Sequence, residues 1–305
     1  MRRGAGNDLT ASSNSHAAPQ DAGVSPQGMP RRWLLLILAT AFLFVLMPFL
    51  FWESTWFGRP LTDEQIAKNL ADRAHPRKAQ HALSQIADRI LSRDTGVRES
   101  ARKWYPQVVE FSSSNTDELR LTAAWVMGQD NTVPEFHAAL LRLVNDPQPM
   151  VRRNASLSLV RFGQDASGHA EVLAMLGLYT VRAAQAGIIS ERLKPGDVVN
   201  PGTLLGRLQQ GDVKMEIRAQ VPGTVERWIA RDRAGVAAGD PLITLSPSAE
   251  EVWEALRALY IIGRPEDLAL VNRYSRGVAD MPDSIRRQAQ ETARAIQARS
   301  APKGP

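Results

Sequence analysis

The amino-acid sequence predicts a multidomain α + β protein with a transmembrane helix, α-helical repeats and a small all-β domain inserted between helical segments. Three observations predict this class. Residues 33–52 form an apolar run without a charge. Helical periodicity covers residues 61–178 and returns over residues 248–298. Between these segments, residues 179–247 contain two similar halves made of short strands separated by glycines.

The composition is that of an ordinary globular chain and excludes several kinds of site. Of 305 residues, 44% are hydrophobic and 23% are charged, and the net charge is +5 with no basic run. Nucleic acid is therefore not a predicted partner. The absence of cysteine excludes disulfides, thiolate nucleophiles and cysteine-ligated metals. The predicted segments are a disordered cytoplasmic tail at 1–30, a transmembrane anchor at 31–56, helical repeats at 61–178, the β domain at 179–247, C-terminal helices at 248–298 and a disordered tail at 299–305.

The apolar run predicts a single-pass membrane anchor. A helix of this length covers about 30 Å, the thickness of the hydrocarbon core of a bilayer. Because arginine is concentrated before the run, the positive-inside rule predicts an inner-membrane protein with a cytoplasmic N-terminus and with residues 53–305 in the periplasm. The alternative, a cleaved signal peptide, would have a shorter apolar region and a small-residue cleavage site. The predicted membrane-interface anchors are Arg31, Arg32, Trp33, Trp52 and Trp56.

A short motif recurs along the helical segments: an acid, an aliphatic residue followed by arginine, and small residues at each helical turn. The clearest copy runs from Asp146 to Gly163. The motif resembles the second helix of HEAT repeats, in which the acid caps the helix and the arginine ties neighbouring repeats together. The resemblance implies a protein-binding array of helical hairpins, and we expect the two helical segments to touch. A generic bundle of capped helices is the alternative. The HEAT-type arginines are Arg98, Arg120, Arg152 and Arg286.

The β domain is an internal duplication. VRAAQAGII, from Val181, aligns with IRAQVPGTV, from Ile217, and the register resumes after one inserted residue. The structural glycines that this alignment equates are Gly187 with Gly223 and Gly202 with Gly239. The pattern resembles the biotinyl/lipoyl carrier fold, or barrel-sandwich hybrid, which membrane fusion (periplasmic adaptor) proteins also use as a lipoyl-like domain. The resemblance implies a pseudo-symmetric β-sandwich, although the long helical hairpin that such adaptors insert between the halves is missing here.

The turn that joins the halves decides between two functions. In biotin and lipoyl carriers a lysine at the tip of this hairpin is modified, and Lys214, next to Met215, is the candidate for that lysine here. Counting back from Gly223 without gaps, however, puts Asp212 at the modified position and Lys214 two residues beyond it. Glycine followed by aspartate also suits a tight, unmodified turn. The predicted hairpin tip and docking surface is Gln210, Gly211, Asp212 and Val213.

No constellation in the sequence predicts a catalytic, cofactor-binding or metal-binding site. The five histidines are isolated from one another, and nucleophile-elbow, phosphate-loop and dinucleotide motifs are missing. The sequence therefore predicts a membrane-anchored, non-catalytic adaptor or scaffold of an envelope transport or assembly complex, with protein partners and with self-association left open. The alternatives are a biotin or lipoyl carrier subunit modified at Lys214, and a lyase-like or chaperone role for the helices.

Overall fold

The computed structural model describes residues 31–54 and 60–301. The chain divides into two units, Met1–Arg59 and Pro60–Pro305. The first unit contains the helix α1, Arg31–Ser54. The tail predicted at 1–30, residues 302–305 of the tail predicted at 299–305, and Trp56 lie outside the described residues. Arg299 and Ser300, which were predicted to belong to the tail, lie in the last helix. The other predicted interface residues lie in α1, but their side chains are outside the described part.

The predicted membrane anchor is wrong. Among the described residues, no helix combines the length and the apolar character that a membrane crossing requires. Within α1, the Thr40 hydroxyl donates a hydrogen bond to the Leu36 carbonyl (2.8 Å). The transmembrane part of the predicted fold class and the single-pass, inner-membrane and periplasmic assignments are therefore overturned.

In residues 60–301 the helices form five consecutive hairpins. The first helix of each packs against the second, and the second helices of successive hairpins pack against one another in the order α3, α6, α8, α10 and α12. Short helix-start signals set the boundaries: Thr62 and Gln65 form a capping box, and proline begins several helices. The helices are α2 (Asp63–Ala71), α3 (Pro76–Ile90), α4 (Thr95–Ala101), α5 (Tyr105–Phe111), α6 (Asp117–Met127), α7 (Pro134–Leu143), α8 (Pro149–Leu159), α9 (His169–Ala174), α10 (Ala249–Ile262), α11 (Leu268–Ser275) and α12 (Asp283–Ser300).

The helical hairpins form one continuous array, and the β domain is inserted inside the fourth hairpin, between α9 and α10. One hydrophobic core contains Val160 and Val172 from the helices before the insertion together with Val252 and Leu256 from those after it. The buried Tyr274 hydroxyl donates a hydrogen bond across the same junction to a main-chain carbonyl of the preceding segment (2.7 Å). The expectation that the two helical segments touch is confirmed.

The HEAT-type arginines have a repeated contact. Arg98, Arg120 and Arg152 each donate to the main-chain carbonyl six residues upstream, at 3.5, 2.9 and 2.9 Å. Arg120 also holds both carboxylate oxygens of Asp146 in the next hairpin, at 2.7 and 3.0 Å. A guanidinium that satisfies a loop of its own repeat and an acid of the next one fixes the stacking of the two hairpins. Arg286 departs from this pattern and pairs with an exposed carboxylate three residues upstream (3.1 Å).

The β domain consists of two four-stranded antiparallel sheets, with strand orders β1-β8-β6-β3 and β5-β4-β2-β7. The first half of the duplication supplies β1 to β4 and the second half supplies β5 to β8. In each sheet the first strand of one half pairs with the last strand of the other half: β1 with β8, and β5 with β4. The strands are β1 (Tyr179–Arg182), β2 (Gly187–Glu191), β3 (Val198–Val199), β4 (Leu204–Gln210), β5 (Val213–Arg218), β6 (Gly223–Trp228), β7 (Gly235–Val236) and β8 (Pro241–Pro247).

The strand register confirms the internal duplication. Gly187 lies opposite Val236, and its counterpart Gly223 lies opposite Val199, the counterpart of Val236. A side chain at Gly223 would collide with the main chain of β8, which explains the glycine there. The equated turn glycines at 202 and 239 both have φ +87°, a conformation that favours glycine.

A cluster of four charged side chains, two of them buried, joins α8, α9, α10 and β1. Arg153 of α8 pairs with Glu251 of α10, and its Nε lies 3.5 Å from an oxygen of Glu171 in α9. Arg152 binds the other oxygen of Glu171 (2.8 Å), and the Arg153 guanidinium lies 5.8 Å from the centre of the Tyr179 ring in β1. The side chains of Arg153 and Glu251 are only 5% and 7% exposed. We call these five residues the junction cluster.

Arg153→Ala is expected to lower the free energy of unfolding by about 3–5 kcal/mol, because it leaves the buried Glu251 carboxylate without its counter-ion. Urea unfolding followed by circular dichroism measures this change. The matched control is Arg294→Ala, which removes the exposed pair with Glu291 and should cost less than about 1 kcal/mol. Equal costs for the two variants would contradict the stabilising role of the junction cluster.

The junction cluster also predicts a pH dependence. Burial raises the pKa of the Glu251 carboxyl above its ordinary value of 4.5, with smaller contributions from Glu171 and Glu250, while Arg153 acts in the opposite direction. The folded chain therefore holds this proton more tightly than the unfolded chain does. The contribution of Glu251 to stability is complete below pH 4.5 and is lost as the pH rises through the folded pKa.

Glu251→Gln removes this titration. The free energy of unfolding of the wild type, measured relative to that of Glu251→Gln, should therefore fall as the pH rises above about 4.5. Urea unfolding series at several pH values measure both proteins under the same conditions. Parallel stability curves for the two proteins would contradict the raised pKa.

Candidate functional site: a groove along the helical array

The second helices of the hairpins line an open groove with a volume of about 790 Å³, built from α6, α8, α10 and α12. A second depression of about 660 Å³ shares Gln129, Val160, Arg161 and Ile261 with it and extends it to Leu91, beyond the end of α3. The groove therefore crosses five helices of the array.

The helices that line the groove run in the same direction. Three side chains of α8 and of the turn after it donate hydrogen bonds to main-chain carbonyls of α6 and of its C-terminal end: Asn154 to Leu121, Ser158 to Ala124 and Arg161 to Gly128. In each pair the donor lies 33 or 34 positions after the acceptor, so α6 and α8 are parallel. At the other side, Arg299 at the end of α12 donates to carbonyls at the end of α10. The C-terminal ends of these helices therefore lie together, which gives the groove two different ends.

The end formed by the helix C-termini is apolar. Leu91, Trp125, Tyr260 and Ile261 lie there and are 57%, 39%, 47% and 39% exposed. Large apolar side chains that stand together on a surface mark interaction sites more often than isolated ones do. We call these four residues the apolar end.

The rest of the groove lining is charged. Glu250 and Glu254 lie on α10, and Glu291 on α12. Glu254 pairs with Arg257 (3.4 Å) and Glu291 with Arg294 (2.8 Å), and Arg161 donates to the Gly128 carbonyl and to the Gln129 side chain (3.0 Å each). In residues 60–301, Glu250 is therefore the one of these three glutamates that takes part in no ion pair.

These groove residues were missed by the sequence analysis, although one signal points to them. Positions 123–127 and 258–262 are unbroken runs of apolar residues within helices. A helix buries only one face, so such a run must expose part of itself. In both runs the exposed members, Trp125, Tyr260 and Ile261, face the groove.

The predicted docking surface lies on the β domain. Gln210 and Val213 lie opposite each other, so the turn between β4 and β5 has two residues, Gly211 and Asp212. Gly211 has φ +59°, as expected at the first central position of a type II′ turn. Lys214 lies on β5 opposite Gln209. Asp212 is thus at the tip and Lys214 is beside it on the strand, while docking at this tip stays a prediction.

The HEAT-type arginines bind groups within the array. Arg120 and Arg152 are largely buried and hold neighbouring hairpins together, whereas Arg98 and Arg286 make local contacts at the surface. None of the four lines the groove as described for residues 60–301. Their role is to position the helices that form it.

The histidines are less isolated than the sequence suggests. Three of them contact an aspartate, in separate parts of the array: His75 with Asp72 (2.8 Å), His137 with Asp165 (2.6 Å) and His169 with Asp267 (2.7 Å). In the last pair both side chains are buried, and the contact ties α9 to the turn before α11. Over the described ranges, no group of three acidic or imidazole side chains is placed to hold a metal ion.

Comparison with known proteins bears on the helical part. A family model, the HEAT repeat, matches residues 138–166, which contain α8 and the motif with Asp146 and Arg152. The predicted HEAT-like character of the helices is confirmed in this segment, and HEAT repeats are typical of protein-interaction scaffolds.

The other two comparisons, with curated proteins and with solved structures, add no support for a function. No curated protein matches the chain. One solved structure that it resembles is described as "Structure and function of a single-chain, multi-domain long-chain acyl-coa carboxylase". The identity is 21%, the match covers 40% of this chain and 14% of that one, and the TM-score is 0.23. At this TM-score the likeness carries no argument about fold or function.

The position of Lys214 leads to a prediction about modification. A residue paired within a strand is a poorer target for a ligase than one at the tip of a turn, so we expect the purified chain to carry neither biotin nor a lipoyl group. Intact-mass spectrometry of the full chain, produced in cells that contain biotin and lipoyl ligases, measures this. An added biotin or lipoyl mass that disappears in Lys214→Ala would contradict the expectation and favour the carrier alternative.

Proposed function

We propose that the chain is a non-catalytic scaffold that binds a protein partner in the groove of its HEAT-repeat array. The observation that carries the proposal is the apolar end, where Trp125 of α6 and Tyr260 and Ile261 of α10 stand exposed along the groove, with α8 between these two helices. Tryptophan and tyrosine are the side chains most enriched among the residues that dominate protein interfaces. The expectation of an envelope complex depended on the membrane anchor, and it is withdrawn together with the anchor.

The construction of the array supports this proposal. Helix stacking is fixed from inside by small residues and by paired arginines, so the groove is preformed and a partner would not have to order it. A preformed site reduces the entropic cost of association. The groove is also open to solvent, which suits a protein segment better than an enclosed small molecule.

We further infer that the inserted β domain is a lipoyl-like sandwich that serves as a second docking module rather than as a carrier. The support is the matching exchange of strands between its halves and the two-residue turn, which leaves Lys214 off the tip. The exposed residues near this turn include Ile188 and Val213, on β2 and β5. The insertion gives the scaffold a second surface without interrupting the array.

Site-specific photo-crosslinking tests the groove. With p-benzoylphenylalanine in place of Tyr260, irradiation of cells that produce the full chain should give a discrete crosslinked product that mass spectrometry identifies. With the purified partner, Trp125→Ala should weaken binding at least about thirtyfold, the result of losing about 2 kcal/mol at the centre of an interface.

The matched control is Val97→Ala, because Val97 is as exposed as Trp125 but lies on α4, outside the groove. The affinity of this variant should stay within about twofold of the wild type, while Ile188→Ala tests the proposed docking surface of the β domain. Absence of any product from position 260, or an affinity that depends on Ile188 and not on Trp125, would contradict binding in the groove. The second of these results would place the main binding surface on the sandwich.

A further inference from the structure

We propose that strand β5 of the β domain is a self-association site, at which two copies of the chain join their sheets by pairing β5 with β5 in antiparallel orientation. The inference rests on the proposed role of the β domain as a second docking module, and it names a second copy of this chain as the partner of that module. It is independent of the groove in the helical array.

Strand β5 is an open edge of its sheet. The strand order β5-β4-β2-β7 leaves it with one neighbour, β4, among the strands described in residues 60–301. The equivalent strand of the first half, β1, is also an edge, but it begins in the junction cluster, where Tyr179 lies beside Arg153 of α8. Along β5, in contrast, four of the six side chains are exposed. An open edge presents unpaired main-chain N–H and C=O groups and is a template for another strand.

The turn before β5 determines which of its main-chain groups face the open side. Hydrogen-bonded and non-hydrogen-bonded pairs alternate along an antiparallel ladder, and the two-residue turn makes Gln210 and Val213 a hydrogen-bonded pair. The odd-numbered positions of β5 therefore direct their main-chain groups to β4. Ala219, just beyond the strand, keeps this pattern and donates to the carbonyl of the residue before β4 (2.8 Å). The even-numbered positions direct their main-chain groups to the open side.

The charges on the outer face of β5 select one register for two copies. A two-fold dimer requires a self-complementary surface, and main-chain hydrogen bonds require even positions opposite even positions. With Met215 on the two-fold axis, Lys214 lies opposite Glu216 of the second copy, and Arg218 lies opposite Asp212. Sliding one strand by two residues places lysine opposite lysine in one direction and Glu216 opposite Glu216 in the other. Like charges directly opposite each other destabilise a strand pair, and opposite charges stabilise it.

These charges are only partly used within one copy. Glu216 pairs with Arg218 of the same strand and lies 3.7 Å from Arg207 of β4. Lys214 and Asp212 take part in none of the ion pairs found in residues 60–301, and the selected register gives both of them a partner. Because the two acids and the two bases cancel, the charges favour one register rather than a general attraction.

The same register covers an exposed apolar side chain on the inner face of β5. Val213 is 64% exposed, and in this register it lies opposite Ile217 of the second copy, which is buried in the core of the sandwich. Met215 packs against the same core and lies opposite its own copy. Side chains approach each other most closely in such non-hydrogen-bonded pairs. The two sandwiches therefore continue one apolar layer across the interface.

The usual protections of an edge strand are missing from β5. Proline, bulges and repelling charges keep edges of natural sheets from pairing. β5 contains no proline, and the bulge in its ladder with β4 falls between Leu204 and Gly206, on the other strand. Its charges would protect it only if like charges met, and their alternating order prevents this in the selected register. The edge is therefore suited to a second copy of itself.

A single cysteine on the two-fold axis tests the register. The chain contains no cysteine, so Met215→Cys adds one thiol to the full chain. The Cα atoms of a non-hydrogen-bonded pair lie about 4.5 Å apart, which is within the range that a disulfide spans. Oxidation of the two thiols by diamide should therefore give a disulfide-linked dimer, measured by gel electrophoresis without reductant.

Val213→Cys is the matched control. Its thiol is at a more exposed position, but in the selected register the two copies of position 213 are four residues, or about 13 Å, apart along the strands. Its dimer should form at least about tenfold more slowly than that of Met215→Cys, because a disulfide cannot span this distance. Random collision of the chains predicts the opposite order.

A charge swap tests the complementarity. Lys214→Glu in the Met215→Cys chain places acids opposite acids and should slow dimer formation at least about fivefold. The swap Lys214→Glu, Glu216→Lys should restore the rate to within about twofold of Met215→Cys. Sedimentation velocity provides a measurement without cysteine, in which the wild type should associate at lower concentrations than Lys214→Glu. Circular dichroism checks that each variant is folded.

Four results would each overturn the inference: no dimer from Met215→Cys, an equal or faster dimer from Val213→Cys, a dimer that survives Lys214→Glu, or a swap that fails to restore it. If the dimer is absent while Ile188→Ala weakens binding of the crosslinked partner, the β domain docks a different protein and only self-association is wrong. Crosslinks from position 260 report on the groove separately.

Discussion

The pairing of Arg153 with Glu251 is the interaction on which the rest of this chain depends. The two residues lie 98 positions apart, and their contact ties α10, which follows the inserted domain, to α8 of the third hairpin. Burying both charges carries a desolvation penalty that is offset only when the geometry and the additional partners are right. Arg152, Glu171 and the Tyr179 ring are those partners. They come from α8, α9 and β1, so the ion pair forms correctly only when the array and the β domain are both in place.

The topology of the β domain keeps the entropic cost of this insertion small. Its first and last strands, β1 and β8, are neighbours, with Tyr179 opposite Leu245. The chain therefore leaves the array and returns to it at nearly the same point, and the insertion adds little loop-closure entropy to the fourth hairpin. Met150 of α8 packs against the core of the β domain from the array side. The duplication thus builds the symmetric domain and also brings its two ends together.

The accuracy of the sequence predictions follows the range of the interactions involved. Some features depend on residues that are close in sequence, and the sequence pattern predicted them. These are the turn at Gly211 and Asp212, the paired glycines of the duplication and the capped helices. Contacts such as His169 with Asp267 join segments without any shared pattern and could not be foreseen. The membrane anchor was wrong because apolar composition summed along residues 33–52 was taken as a complete span. The groove was missed because exposure of Trp125 depends on which face of α6 packs.

That exposure has a physical cause in the packing of α6 against α8. The contacting positions are small: Ala123 and Ala124 are fully buried, and at Gly128 a side chain would collide with Ser158 of α8. Close approach of two helices through small residues leaves no room for a ring between them, so the indole of Trp125 is directed to the surface. The same close approach lets Ser158 reach a carbonyl of α6 (3.0 Å). The side chain that would bind a partner is therefore displayed by the interactions that keep the array rigid.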